Sequence, residues 1–166
     1  EPSADDALPT RIGRLANVIG SERCSAADRA ALKRWGPGQP PPFAFYRLWL
    51  RDLGTDLPPP AQTRTWMLIA WGLALGVAHR RDRPLGQALA EAGLAEARLE
   101  RLLGSDPEIL PDLLASAIRF LASKAETIDW LDAARLLLSQ DADKREVIHR
   151  RIAQAYFRHQ PRNDQE

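Results

Sequence analysis

Leu110, Leu113, Leu114, Ala117, Ile118 and Leu121 recur at i, i+3, i+4, i+7, i+8 and i+11, the spacing of a helix that turns one face to a core. This stripe predicts a helix from Pro107 onward, and the same period runs through most of the chain. Ser25, with Asp28 three residues on, reads as an N-cap in a capping box that has Asp in place of Glu. Gly36-Pro37 stops that helix after Trp35. A second helix is expected from Phe43 to Leu53 with Gly54 as its left-handed cap. After the break at Pro58-Pro59-Pro60, a long helix is expected from Ala61 to Ala78. Pro84 starts a short one ending at Gly93, and Leu94 to Gly104 makes the next. Asp129 caps a helix from Trp130 to Leu138, and Asp141 caps the last. No run alternates with the two-residue period of a half-buried strand, so the pattern predicts an all-α fold of about nine helices. Gly36–Pro42 and Arg80–Pro84 read as linkers, the second as a domain boundary or as a tight loop inside one bundle. Residues 1 to about 7 are expected to be a frayed tail.

Composition leaves this picture intact. At 166 residues, 45% hydrophobic and 27% charged, the chain lies in the ordinary globular range and far from disorder. The longest apolar stretch, Trp66 to Val77, falls short of the roughly 20 residues that span a bilayer. The acidic, small residues after Glu1 do not resemble a signal peptide. Cys24 is the one cysteine, which excludes an intrachain disulfide and points to a reducing, cytoplasmic setting.

Charge changes the picture more. The net charge of +1 conceals a basic C-terminal end and a strong preference for Arg over Lys. Arg grips phosphate with a planar fork of donors and stacks on bases, which favours a nucleic-acid partner; codon bias in a GC-rich genome accounts for the excess equally well.

Candidate chemistry is sparse. His79, His149 and His159 show no zinc spacing. Glu146-Val-Ile-His149 matches one Glu-x-x-His unit of di-iron bundles, but the second unit is missing, so a solvated helix face is the default. Cys24 precedes a helix start without a histidine near it in sequence and reads as a packed residue rather than a nucleophile. Gly36-Pro-Gly38 leads into prolines, not into a phosphate loop. No catalytic residue, cofactor or metal site is expected, and the protein is read as not an enzyme.

What remains are basic clusters on helices. Lys144, Arg151 and Arg158 stand seven residues apart and form one stripe on the last helix, flanked by Arg145, Arg150 and Arg162. Arg29, Lys33 and Arg34 share one side of the Ser25 helix. Arg98 and Arg101 lie on the Leu94–Gly104 helix with Glu96 and Glu100 nearby. The loop run Arg80-Arg81-Asp82-Arg83 reads first as solvated. Each cluster admits the plainer reading of a solvated helix face. The tryptophans at 35, 49, 66, 71 and 130 fall mostly on apolar faces, and only Trp35, following Lys33-Arg34 at a helix end, is a candidate for exposed stacking.

The order of several segments adds a resemblance. Ala31-Leu-Lys33-Arg34, the Pro-rich gap, Ala44-Phe-Tyr-Arg-Leu48, Leu85-Gly-Gln-Ala-Leu89, Arg98-Leu-Glu-Arg-Leu-Leu103 with Asp106, Ile128-Asp-Trp130 and Arg150-Arg-Ile-Ala-Gln-Ala-Tyr156 together resemble the CasB family, over roughly 25–157. That family is the small subunit of Cascade, the type I-E CRISPR surveillance complex. The resemblance implies two small helical bundles, here 1–80 and 84–160, and a non-catalytic subunit present as two copies beside the large subunit and the crRNA-bearing backbone subunits. It implies that the subunit holds target DNA and the displaced non-target single strand, stabilising the R-loop in antiviral defence. Lys33 and Arg34 fall on the family's Leu-Arg-Arg pattern, Arg98 and Arg101 on its Arg-x-x-Arg-Leu-Leu, and Arg119 on the basic residue of the helix before Asp-Trp. Arg150 and Arg151 lie in its basic stretch before the terminal aromatic pair. The chain departs from the pattern at Ala117-Ile118, where some members carry a second Arg, and at Gly104, where a basic residue is common. The expected nucleic-acid-binding set is therefore Arg29, Lys33, Arg34, Arg98, Arg101, Arg119, Lys144, Arg150, Arg151 and Arg158. A stand-alone helix-turn-helix DNA-binding regulator, with Leu94–Gly104 as recognition helix after the turn at Gly93, is the alternative; its two Glu and committed apolar face argue against it.

Overall fold

The computed structural model describes residues 4–161. Among them the chain forms nine α-helices: α1 (Ala4–Ile19), α2 (Ala26–Lys33), α3 (Phe43–Tyr46), α4 (Thr63–Ala74), α5 (Leu85–Ala92), α6 (Glu96–Leu103), α7 (Leu110–Ser123), α8 (Trp130–Leu138) and α9 (Ala142–His159). The fold is all-α, and one isolated bridge between His79 and Ile128 is its sole β-type pairing among the described residues. No helix among them is long and apolar enough to cross a membrane.

Helix starts follow the caps read from sequence. The Ser25 hydroxyl accepts from Asp28 N at 3.1 Å, the Asp129 carboxylate from Leu131 N at 3.0 Å, and the Asp141 carboxylate from Asp143 N at 2.8 Å. Gly54 and Gly93 take the expected left-handed conformation, at φ 69° and 90°. Asp28 does not complete a capping box. Its buried carboxylate instead receives Arg47, with the closest contact at 2.7 Å, and that guanidinium holds it below the ordinary carboxylate range.

Several elements differ from expectation, among them α7, which starts at Leu110 after a turn rather than at Pro107. The residues expected as a frayed tail lie in α1 from Ala4 onward, while residues 1–3 are outside the described part. Leu8, Ile12, Leu15 and Ile19 bury one face of this helix, which is enough to carry it through Pro9. The helix expected from Phe43 to Leu53 widens after Tyr46 into a π-helical stretch, Arg47–Asp52, closed by Leu53 N to Leu48 O at 2.8 Å. The five-residue step brings Leu53 back to the side of Leu48, so both are buried together with Trp49. α4 begins after a short 3-10 turn and stops at Ala74, four residues before the expected end. There Gly76 turns left-handed at φ 106°, and Val77 leaves the helix to lie fully buried. α6 is one turn or less shorter than expected because Leu94 and Ala95 belong to the turn before it.

Every residue of α4 from Trp66 to Ala74 is buried, which makes it the axis of the molecule. α1, α2, α7 and α8 pack around it, and α9 covers α5 and α8. Buried residues from both sides of Arg80–Pro84 form one contiguous apolar cluster.

Two close approaches set the helix spacing. Gly72 faces the Trp130 ring, where a Cβ would collide with the indole and lie 3.2 Å from Ile118 Cγ2. Gly86 on α5 faces the backbone of α9, where a Cβ would collide with Ile152 O and lie 2.9 Å from Tyr156 N. Farther along, the Tyr156 hydroxyl donates to Leu94 O at 2.5 Å. Gly86→Ala should therefore lower the unfolding free energy by about 2 kcal/mol, overpacking outweighing the roughly 1 kcal/mol alanine gains in a helix. Urea denaturation measures this, and unchanged stability would overturn the account.

His79 adds a pH dependence. Its Nδ1 accepts from Trp130 N at 3.1 Å, and burial pushes its pKa below the usual 6.5, opposed by Asp129 and aided by Arg81. A depressed folded-state value means that the unfolded chain takes up the proton first as pH falls. Stability present above about pH 6.5 is then lost below it. His149 shifts in the same direction, so His79→Gln should flatten the fall of stability between about pH 7 and 5 without abolishing it. Thermal unfolding across that range checks the slope.

Candidate nucleic-acid interface

The basic residues separate by what holds their head groups. Arg29 is turned inward, where its Nε donates to Ile19 O at 3.0 Å and its Nη2 to Ser21 O and Cys24 O at 3.0 and 3.1 Å. It closes the end of α1 and leaves Lys33 and Arg34 as the exposed pair of that helix. Beside it, burial pushes the Cys24 thiol up, as suits a packed side chain.

Arg151 is likewise committed. Its Nε donates to Asp132 Oδ1 at 2.6 Å, and its Nη2 lies 3.7 Å from Asp129 Oδ2. Asp132 is 1% exposed, and its other oxygen accepts from Leu85 N at 2.9 Å. One carboxylate thus ties the start of α5 to α8 and, through Arg151, to α9. Asp129 is buried beside it, and that burial raises its pKa against the pull of the Leu131 amide. Arg145 is held by Ser139 O at 3.3 Å and Gln140 O at 2.9 Å, closing the end of α8. The stripe expected on α9 is therefore broken at its centre. Lys144, Arg150 and Arg158 are exposed, and Arg162 lies outside the described residues.

A different arrangement surrounds α7. The Arg98 guanidinium stands 5.6 Å from the centre of the Phe120 ring and donates to Ser116 Oγ at 3.3 Å. Lys124 approaches the same ring at 5.7 Å. Arg119, the residue before Phe120, stands 5.2 Å from the Trp71 ring, and Trp71 meets Trp35 edge-on at 6.0 Å. Trp35 directly follows Lys33 and Arg34, so this run of rings leads from the end of α2 to α6 and α7. Arg98 and Arg101 also line a small cleft of about 260 Å³ with Ser116. On its other side Arg101 shares a shallow depression with Glu100 and Asp106, which offset its charge.

Trp35 itself is not exposed for stacking. It is 5% exposed, and its indole N–H donates to Gln39 O at 2.9 Å, so all five tryptophans are core residues. Phe120, half-buried between two cations, is the aromatic residue that the sequence reading passed over, and Lys124 went with it. The signal was present: Phe120 and Lys124 are four residues apart on one helix, and residues at that spacing share a face.

What the α7 group offers is fixed positive charge. An exposed cation over an aromatic ring gains about 0.5–1 kcal/mol, enough to favour one position of the head group. The ring takes none of its N–H donors, which stay available for phosphate oxygens. Among the described residues no group of three or more His, Cys, Asp or Glu side chains is placed to hold a metal ion. Glu146 and His149 stand on α9 without further ligands beside them.

The split between Arg150 and Arg151 is testable. Arg150→Ala should leave stability within about 0.5 kcal/mol, as for ordinary surface positions. Arg151→Ala leaves buried Asp132 without its partner and should cost about 1–3 kcal/mol, below the 3–5 kcal/mol of a fully buried pair because the Arg151 side chain is 45% exposed. Equal effects of the two substitutions in urea denaturation would contradict this division.

Comparison with known proteins places the chain. No individual curated protein gives a significant match. The family model for CRISPR-associated protein Cse2 matches residues 28–157, from the first turn of α2 to the Tyr156-Phe157 pair. The chain therefore belongs to the CRISPR-associated Cse2 family, also called CasB, the Cascade subunit family of type I-E CRISPR defence.

Proposed function

We propose that this protein is a non-catalytic Cascade subunit that holds DNA through its backbone, chiefly the displaced non-target single strand, and so stabilises the R-loop. The observation that carries the proposal is the α6–α7 face, where Arg98, Arg119 and Lys124 stand over aromatic rings. Lys33 and Arg34 join the proposed set from the end of α2, beside Trp35, whose ring meets Trp71. Sequence is read by guide pairing in such a complex, so a subunit that retains the open strand needs attraction to phosphates rather than to base edges. Cations fixed in position and backed by rings meet that need without selecting bases.

Arg150 and Arg158 on α9 form a second, weaker group in this reading, and Lys144 lies at its far end. Arg29 and Arg151 act on it only through the fold, by fixing α1 against α2 and α8 against α9. The implied partners are the large and backbone subunits with their crRNA, and a second copy of this chain. α6 is a poor recognition helix for a stand-alone regulator, since Leu99 and Leu102 are buried and Glu96 and Glu100 share its outer surface with Arg98 and Arg101.

The test is binding of a labelled single strand across a salt series by fluorescence anisotropy, with the protein alone and in assembled Cascade. Each phosphate that the protein no longer neutralises should reduce the slope of log K against log salt by about 0.7. Arg98→Gln with Arg119→Gln should weaken binding about tenfold or more at physiological salt and lower the slope by more than one, with little change for one base composition over another. Unchanged affinity and slope would remove the α6–α7 face from the interface.

A further inference from the structure

A second basic site lies outside the α7 group, and both its arginines precede the matched family segment. Between α1 and the end of the π-helical stretch is a cleft of about 440 Å³, lined by Thr10, Arg11, Arg14, Trp49, Leu53 and Thr55. Its described lining carries two guanidinium groups and two hydroxyls and no carboxylate. Both guanidinium groups are braced from behind. Arg14 Nη2 donates to Leu53 O at 2.8 Å, and Arg11 stands 5.5 Å from the centre of the Trp66 ring. Trp66 and Trp71 are five residues apart on α4 and so face different sides of it, which separates this cleft from the Arg119 group.

We propose that this cleft binds a phosphate group, with Arg11 and Arg14 donating to its oxygens and the Thr10 and Thr55 hydroxyls beside it. The remaining guanidinium N–H groups form the forked donor set that matches phosphate oxygens. Bracing by Leu53 O and Trp66 lowers the conformational entropy lost when the anion arrives. Trp49 and Leu53 form the apolar floor of the cleft. A hydroxyl donor beside the two cations, Thr10 directly and Thr55 by turning from its 3.4 Å bond to Asp56 O, suits a tetrahedral anion better than a planar carboxylate, which one guanidinium can satisfy in bidentate fashion. The source of the phosphate is a nucleic-acid strand or a free nucleotide, and the same chemistry serves both.

The site does not rest on the α6–α7 reading, and its residues are outside that interface. The test follows the backbone amide signals of Thr10 and Thr55 by NMR in the 166-residue chain during titration with inorganic phosphate, with Ser116 as a reference on the α7 face. Saturable shifts at Thr10 and Thr55, absent with sodium chloride at matched ionic strength, support the site. Arg11→Gln should weaken the apparent affinity about tenfold, as expected for losing a hydrogen bond to a charged group. Because Arg14 also closes the π-helical end, Arg11→Gln is the decisive variant, and Arg14→Gln is read only alongside its thermal unfolding curve. A short oligothymidylate producing the same shifts at lower phosphate concentration identifies a strand as the source, and adenosine monophosphate matching or exceeding it identifies a nucleotide. Acetate shifting the signals as strongly as phosphate, shifts that do not saturate, or shifts unchanged in Arg11→Gln would each overturn the proposal.

Discussion

The seating of Trp130 on Gly72 is the contact on which the arrangement of the helices depends. The indole fills the space that a side chain at Gly72 would take, and its N–H donates to Val77 O at 2.7 Å. That bond requires Val77 to have left the helix, which is why α4 ends at Ala74 with Gly76 turning the chain. The strand-like pair that follows, Ile128 N to Ala78 O at 3.1 Å and Arg80 N to Ile128 O at 2.8 Å, holds the two segments in register. His79 then accepts the backbone N–H of Trp130. A buried aromatic ring, two backbone bonds and one imidazole thus fix where α8 begins relative to α4. Everything packed on α8, including α9 and through it α5, inherits that position.

Asp132 extends the same logic by one turn of helix. Its carboxylate has lost nearly all its water, a cost offset only if both oxygens are satisfied. Leu85 N takes one and Arg151 the other. Arg83 is a neighbouring pin, bonded to Glu126 and to Glu91, and its carbonyl receives Asp129 N at 2.7 Å. The loop run that looks merely solvated in sequence is therefore mixed: Arg81 and Asp82 are exposed, while Arg83 is largely enclosed. A charge within three residues of another in the sequence can do quite different work.

Local signals were legible where one helix face or one cap decides the outcome. α7 and α8 follow from their apolar stripes and from Asp129, and Gly54 and Gly93 follow from the need for a left-handed residue. Features that depend on what stands opposite were not legible. The early end of α4 is set by Trp130, fifty residues away, and the π-helical widening by the demand that Leu48, Trp49 and Leu53 all be buried. The candidate site follows the same rule. Periodicity correctly put Arg151 in line with Lys144 and Arg158, but it could not show that Asp129 and Asp132 lie across from the middle of that line. Nor could it show that Arg29 reaches back to the carbonyls ending α1. Arg98 stands out in the sequence as part of a basic pair on its helix and Arg119 only through the family resemblance, whereas the rings beneath both needed the fold.

The fate of each arginine also explains why net charge says little about this chain. A carbonyl or carboxylate consumes guanidinium N–H donors, as at Arg14, Arg29, Arg47, Arg83, Arg145 and Arg151. An aromatic ring takes the cation through its π-face and consumes none. Arg11, Arg98 and Arg119 each stand over a ring, so they keep donors while losing freedom of movement. Phosphate binding is favoured where both properties meet, because a mobile cation gives up conformational entropy on contact and a bonded one has fewer donors to offer; Arg14 spends one donor on Leu53 O and keeps the others. In both proposed sites the cations offered to an anion are thus those standing where aromatic residues come near the surface. Trp66 and Trp71 reach two sides of the same central helix, and each brings an arginine with it.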